Sequence, residues 1–191
     1  MADDMSNLSL QEIHEHCLHT TQKIIQSFGW DSIIVGSLSE EDKTYLWNEN
    51  DNAVLNWRWA IEHYRGNAND NGILDISLKS TKGYDYAVLH AAIICKYDAR
   101  RKEFAICMLE NLRAHKKSAL TGNVFIIALI YSTTFCSMME LDDVVIHDPL
   151  EEMKPRYRSY GFSQVFYAPN KMSSAVADIQ TTIRRKVMGI H

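Results

Sequence analysis

The chain reads as an α+β protein: a mixed, mostly antiparallel sheet flanked by helices, with extra helices at both ends. Three observations predict it. Three β-rich segments follow one another over residues 73–79, 86–97 and 103–112, joined by turns of the length that links antiparallel neighbours. Residues 121–139 are apolar nearly all round, the pattern of a helix buried on every side. A strand at 144–146, a helix and a further strand then follow, which implies one crossover back into the same sheet.

The elements can be justified in order. Ser9 and Glu12 have capping-box spacing, so a helix starts at Leu10. Leu10, Ile13, Cys17, Ile24 and Phe28 lie near one face of it, and Gly29 is placed to end it. Its His16 and His19 are three apart and could share a metal. With no second ligand cluster at recognisable spacing, a solvated helix face is the better reading, and no metal framework is assigned. Residues 32–37 predict a strand, and Ser39 to Asp42 open a second helix with carboxylates in its first turn, where the helix dipole favours them. Residues 52–64 predict a third helix whose Trp57, Trp59 and Tyr64 suit core packing or a ligand groove. The turn-rich stretch 65–72 predicts an exposed loop.

In the first of the three strands Ile73, Asp75, Ser77 and Lys79 share a nearly polar face. Residues 81–84 make the hairpin connection, and His90 in the next strand reads as a core or groove histidine. A basic loop over 113–123 leads into the apolar helix. His147 and Asp148, at the end of the next strand, read as caps of the following helix. Residues 163–168 predict a last strand, broken by Pro169 and Asn170. Ser173 or Ser174 then caps a terminal helix, with Val176, Ile179, Ile183 and Val187 on one face and Arg184, Arg185 and Lys186 near its end. The expected division is an N-terminal helical extension over 1–31, a central domain over 32–170 and a C-terminal amphipathic helix over 171–191.

Composition narrows the function. A net charge of -4 over 191 residues gives no broad footprint for nucleic acid or an anionic membrane. Cys17, Cys95, Cys107 and Cys136 form no Cys-x-x-Cys pair and read as reduced, buried thiols, which implies a reducing compartment. The start of the chain is acidic and polar, unlike a signal peptide, so a cytoplasmic location is expected. The longest apolar stretch has 16 residues, five of them Ser, Thr or Cys, short of the ~20 that a membrane span needs. Gly-x-Ser-x-Gly, His-Glu-x-x-His, Walker and Cys/His metal motifs are absent from the sequence.

The element order, together with Tyr157-Arg158-Ser159-Tyr160-Gly161-Phe162 placed just after the strand at Val144 to Pro149, resembles the GNAT superfamily of acyl-CoA-dependent N-acyltransferases. The resemblance covers roughly residues 33–168. In that family a strand, a Pro-containing turn and a helix ending in Tyr-x-x-x-Gly-Phe follow the long central helix. A [Arg/Gln]-x-x-Gly-x-Gly/Ala loop before that helix seats the pyrophosphate on a helix N-terminus. Here the loop is Lys117-Ser118-Ala119-Leu120-Thr121-Gly122, with Leu120 where the family has its first Gly and Leu150 where it often has Asn.

The resemblance implies an N-acyltransferase moving an acetyl group from acetyl-CoA to an amine acceptor that the sequence does not identify. It implies Tyr157 as the acid that protonates the departing thiolate and Glu110 as the base, acting through water. Cofactor contacts would come from Leu109, Asn111 and Leu112 by their backbone, and from Lys117, Leu120, Thr121, Gly122 and Asn123 in the loop. The alternative is a catalytically silent acyl-CoA-binding or protein-interaction module, with the terminal helices as partner surfaces.

Overall fold

A computed structural model describes residues 8–48, 53–82, 88–113, 120 and 122–189. The capping box at Ser9 starts α1 (Leu10–Ser27), with Glu12 N–H donating to Ser9 Oγ at 3.1 Å and Ser9 N–H donating to Glu12 Oε1 at 3.3 Å. Then come β1 (Ile33–Gly36), α2 (Glu40–Asn48), α3 (Trp57–His63) and a one-turn α4 (Ala68–Asn71). The central hairpins are β2 (Ile73–Ser80), β3 (Leu89–Asp98) and β4 (Glu103–Asn111). The second half holds α5 (Val124–Met138), β5 (Asp143–His147), a 3₁₀ turn (Glu151–Met153), α6 (Lys154–Arg158), β6 (Ser163–Val165), β7 (Ala168–Ala175) and α7 (Val176–Val187).

The sheet has seven strands in the order β1-β2-β3-β4-β5-β7-β6. Among the described strands only β4 and β5 run parallel, joined by the crossover through α5. Their pairing is short: Ala105 faces Val145, Ile106 faces Ile146, and the two strands then part. β4 continues to Asn111, so a fork opens from Cys107 onward. At the same place Ile94 pairs with Met108 and Cys95 with Ile106, which leaves Cys107 as the extra residue of a β-bulge.

Apolar residues fill both faces of the sheet. On one face α1, α5 and α7 bury Ile13, Cys17, Ile25, Leu129, Phe135, Ile179 and Ile183 against Ile76, Ile93 and Phe104. On the other α2 and α3 bury Leu46, Trp57 and Ala60 against Ile73, Ala92 and Ile94. The expectation of a helix apolar all round holds for α5. Its buried Ser132 and Thr133 return their hydroxyls to the Ala128 and Leu129 carbonyls, at 2.6 and 2.9 Å.

Several sequence expectations need correction. The nearly polar face expected of β2 holds, and it is covered by α2 and its preceding loop. Asp75 accepts from Leu38 N–H at 3.1 Å, Ser77 donates to the Ser37 carbonyl at 3.0 Å, and Lys79 pairs with Asp42 at 3.1 Å. The third helix starts at Trp57 because Asn56 caps it, accepting from Trp59 N–H at 3.0 Å. The exposed loop over 65–72 contains α4, capped by Asn67. Asp98 to Lys102 does form the β3–β4 turn, whereas the β2–β3 connection lies mostly outside the described residues.

The largest correction is at the C-terminal end. Residues 168–175 form β7, not a break followed by a helix, and α7 begins only at Val176. β7 pairs with β5 from Lys171 to Ala175 and with β6 at Ala168, Met172 and Ser173. Pro169 falls in the irregular stretch between those β6 pairs, where no N–H is demanded of it. Gln164 stitches that irregularity by donating to the Ala168 and Lys171 carbonyls at 2.9 and 3.0 Å.

Candidate active site

A groove of about 380 Å³ lies at the fork. Its walls include Leu109, Glu110 and Asn111 of β4, Leu120, Gly122 and the first turn of α5, and Leu150, Met153, Arg156 and Tyr157 beyond β5. Most of the sequence-derived site residues that are described thus meet in one cavity, although more than forty positions separate Glu110 from Tyr157. The topology does this: β4 feeds α5, and β5 returns beside β4 and carries the α6 segment to the opposite wall.

The open edge of β4 supplies backbone donors. Leu112 donates its N–H to the His90 carbonyl at 2.8 Å. Alternation along an antiparallel pair then turns the Leu109 and Asn111 N–H groups away from β3, toward the side that β5 has left. Leu112 itself is directed elsewhere. It is buried in the α2–α3 core and its N–H is already used, so its expected cofactor contact is not supported.

α5 points its N-terminal end at the groove through Val124 and Phe125. A fifteen-residue helix brings a partial positive charge there, suited to an anion. Leu120, where the resemblance expects Gly, is buried in the core and forms part of the wall. Asn123 N–H closes a turn on the Leu120 carbonyl at 3.0 Å. Lys117 and Thr121 lie outside the described residues.

Tyr157 is held by aromatic contacts, its ring centroid 5.0 Å from that of Phe125 and 6.4 Å from that of Phe162. The Tyr-x-x-x-Gly-Phe ending has a physical reading here. Gly161 adopts φ of 86° and turns the chain, so that Phe162 is buried and its N–H returns to the Tyr157 carbonyl at 3.2 Å. Burial pushes the Tyr157 phenol above its ordinary range, which keeps it protonated at neutral pH.

Glu110 is more engaged than the sequence suggests. Its Oε1 accepts from Leu55 N–H at 3.0 Å and from the Trp57 indole at 2.9 Å, and its Oε2 accepts from Val54 N–H at 2.7 Å. A carboxylate offers about four acceptor directions, so little remains for a water to be deprotonated. The carboxylate pins the Val54–Trp57 segment over the groove mouth.

Arg156 was not singled out by the sequence. It donates from Nη2 to the Gly122 carbonyl at 2.8 Å, and its guanidinium stands 5.9 Å from the Phe125 ring centroid. The available signal was its place one residue before the tyrosine of the motif. His147 and Asp148 do not cap the following 3₁₀ turn, which has no side-chain cap bond. Asp148 has φ of 48° and gives its N–H to the Asn170 carbonyl at 2.7 Å, while His147 turns to Glu103. His16 and His19 are exposed, and no group of three or more His, Cys, Asp or Glu among the described residues is arranged to hold a metal ion. No described helix is long and apolar enough to cross a membrane.

The architecture is that of the GNAT acetyltransferases: the chain has the GNAT fold. A crystal structure of AtaTR bound with acetyl-CoA has a TM-score of 0.57 at 11% identity, covering 79% of this chain and 98% of that one. The spermidine/spermine N-acetyltransferase SpeG from Vibrio cholerae gives 0.53 at 12% identity, over 80% of this chain and 97% of that one. An uncharacterised protein from Bacillus halodurans gives 0.59 at 10% identity, over 83% and 92%. No protein-family profile and no curated sequence matches the chain.

Proposed function

We propose that the chain is an acyl-CoA-dependent N-acyltransferase that moves an acetyl group from acetyl-CoA to an amine. The observation that carries this reading is the groove at the β4–β5 fork. It combines a strand edge that β5 leaves after Ile106, a helix N-terminus and a tyrosine in a single cavity. Two of the solved structures with this fold, AtaTR bound with acetyl-CoA and the N-acetyltransferase SpeG, support the same class.

In this reading the Leu109 and Asn111 N–H groups hold the pantetheine arm and polarise the thioester carbonyl. The α5 N-terminus and the Gly122 turn seat the pyrophosphate, with Lys117 and Thr121 of the same loop and Asn123 beside it. Arg156, at the groove wall beside Leu120 and Leu150, adds a positive charge that suits an anionic phosphate. Tyr157 gives its proton to the coenzyme thiolate as the amide forms. We assign Glu110 to positioning: it fixes the segment that leads into α3, and the aromatic Trp59, His63 and Tyr64 of that region border the acceptor side.

The test is acetyl-CoA-dependent acetylation across small amines, peptide amines and aminoacyl-tRNA, followed by release of coenzyme thiol. Tyr157→Phe lowers kcat by about 10²–10⁴-fold with little change in acetyl-CoA affinity. Turnover that survives this change intact would contradict the role of Tyr157. Binding of acetyl-CoA with no transfer to any acceptor class would favour the silent binding module.

A further inference from the structure

A second cavity, of about 210 Å³, lies between the sheet and the α2–α3 layer. Ile73 and Asp75 of β2 and Ile94 of β3 form its floor, and Lys43 of α2 and Ile61 of α3 stand over them. It shares no wall residue with the fork groove. Its volume is below the ~300 Å³ at which sites for drug-sized ligands begin, so its occupant is a small molecule.

Four charged side chains belong to its walls, Glu40 and Asp75 against Lys43 and Arg65. They are unequally served. The Asp75 side chain is only 17% exposed. Its Oδ1 accepts from Leu38 N–H at 3.1 Å, but its Oδ2 faces the Lys43 ammonium at 4.0 Å, beyond hydrogen-bond reach. Lys43 stands nearer to the exposed Glu40, at 3.5 Å. Burial pushes the Asp75 carboxyl above its ordinary range, and the Leu38 and Lys43 contacts offset this only in part. A buried carboxylate with one oxygen unbonded is a seat for a cation that can reach it. At the rim, the Arg65 guanidinium has no hydrogen-bond or ion-pair partner among the described residues. Its own carbonyl accepts from Asn71 Nδ2 and Gly66 turns the chain at φ of 102°, which fixes the backbone that carries it. Arginine left open in this way suits a carboxylate, which it can grip with two bonds.

The helix over this cavity is also the one that closes the groove. Glu110 holds Val54, Leu55 and Trp57 at the start of α3, over the groove mouth. Ala60, Ile61 and Tyr64, toward its other end, line the cavity. Tyr64 also meets Cys107, where β4 and β5 separate.

We propose that this cavity is an effector site for a small free amino acid, its ammonium on Asp75, its carboxylate on Arg65 and its apolar part against Ile61, Ile73 and Ile94. Binding there fixes the distance between α3 and the sheet, and α3 transmits this to the groove mouth. The binding half of the proposal stands without the acyl-CoA reading of the groove; the coupling half rests on that reading.

The experiment titrates the full-length protein by calorimetry with alanine, valine, leucine and γ-aminobutyrate, and with butylamine and butyrate as singly charged controls. An amino acid binds with one-to-one stoichiometry, and the controls bind at least about 10-fold more weakly. Arg65→Gln and Asp75→Asn each weaken it by about 10–100-fold, and Ile61→Trp, which fills the cavity, abolishes it. Arg65 is exposed, so its substitution tests the site even if the Asp75 variant does not fold. A second titration measures acetyl-CoA with the amino acid saturating, where affinity changes by about 5-fold or more, and the reverse titration gives the same factor. Absence of amino-acid binding, or binding that survives both Arg65→Gln and Ile61→Trp, overturns the site. Equal binding of butylamine overturns the zwitterion. An unchanged acetyl-CoA affinity overturns the coupling, and acetylation of the bound amino acid makes it an acceptor and overturns the effector role. Failure of acetyl-CoA to bind at all removes the acyl-CoA reading and the coupling, while the first titration still decides the site.

Discussion

At the scale of single residues, buried polar groups carry the sharpest consequences. His14 is buried between Tyr131, whose hydroxyl lies 2.6 Å from Nδ1, and Ser37, whose hydroxyl lies 3.1 Å from Nε2. Burial lowers its pKa from 6.5 to about 4, so it is neutral in the folded protein at pH 7. The sign follows directly. Below pH 6.5 the unfolded chain binds a proton that the folded one refuses, so this stability is complete above 6.5 and is lost as pH falls toward about 4. The loss reaches about 3 kcal/mol. Urea unfolding of wild type and His14→Gln from pH 7 to pH 4 checks it, and equal pH slopes in the two proteins would exclude His14 as the source. Glu110 offers a second case. Glu110→Ala leaves the buried Trp57 indole N–H without its acceptor and costs about 1–3 kcal/mol, read as a lower denaturation midpoint. The sequence could name Glu110 but not this role, because its partners Val54, Leu55 and Trp57 lie more than fifty positions away.

At the scale of elements, what was legible depended on whether local pattern or distant pairing decides the structure. α5 was legible because twelve of its fifteen residues are buried, and an unbroken apolar run states that outright. The hairpin from β3 to β4 was legible because its charged turn is short. β7 was not, since Pro169, Asn170 and two serines argue locally for a break. Pairing with β5 and β6 overrides that preference. The fork was not read from the sequence, because strand separation leaves no mark on composition; the family resemblance supplied only residues that surround it. The Cys107 bulge was hidden for the same reason. One prediction belongs here. Gly161 ends α6 with φ of 86°, and a β-carbon there would come to 2.9 Å from Ser174 Oγ. Gly161→Ala destabilises the protein by about 1–3 kcal/mol and loosens the Tyr157 wall. Differential melting reads the first effect and acetyl-CoA affinity the second, and an unchanged melting temperature would show that the turn tolerates a side chain.

At the scale of the whole molecule, seven strands and two helical layers bring together β4, the start of α5 and the α6 segment, which the sequence keeps apart. The N-terminal helix α1 and the C-terminal helix α7 both bury their apolar faces in the core shared with α5. Their outer faces, with Glu15, His16 and His19 on α1 and Asp178, Arg184 and Arg185 on α7, are exposed. The central claim is that the fork binds acyl-CoA, and thermal melting with saturating acetyl-CoA tests it most directly. At about 100 times the dissociation constant a ligand of the folded state stabilises by about 2.7 kcal/mol. For a domain of this size that predicts a rise of roughly 5–10 °C, reduced by Arg156→Ala. An unchanged melting temperature in millimolar acetyl-CoA would contradict the account and leave the fold without its ligand.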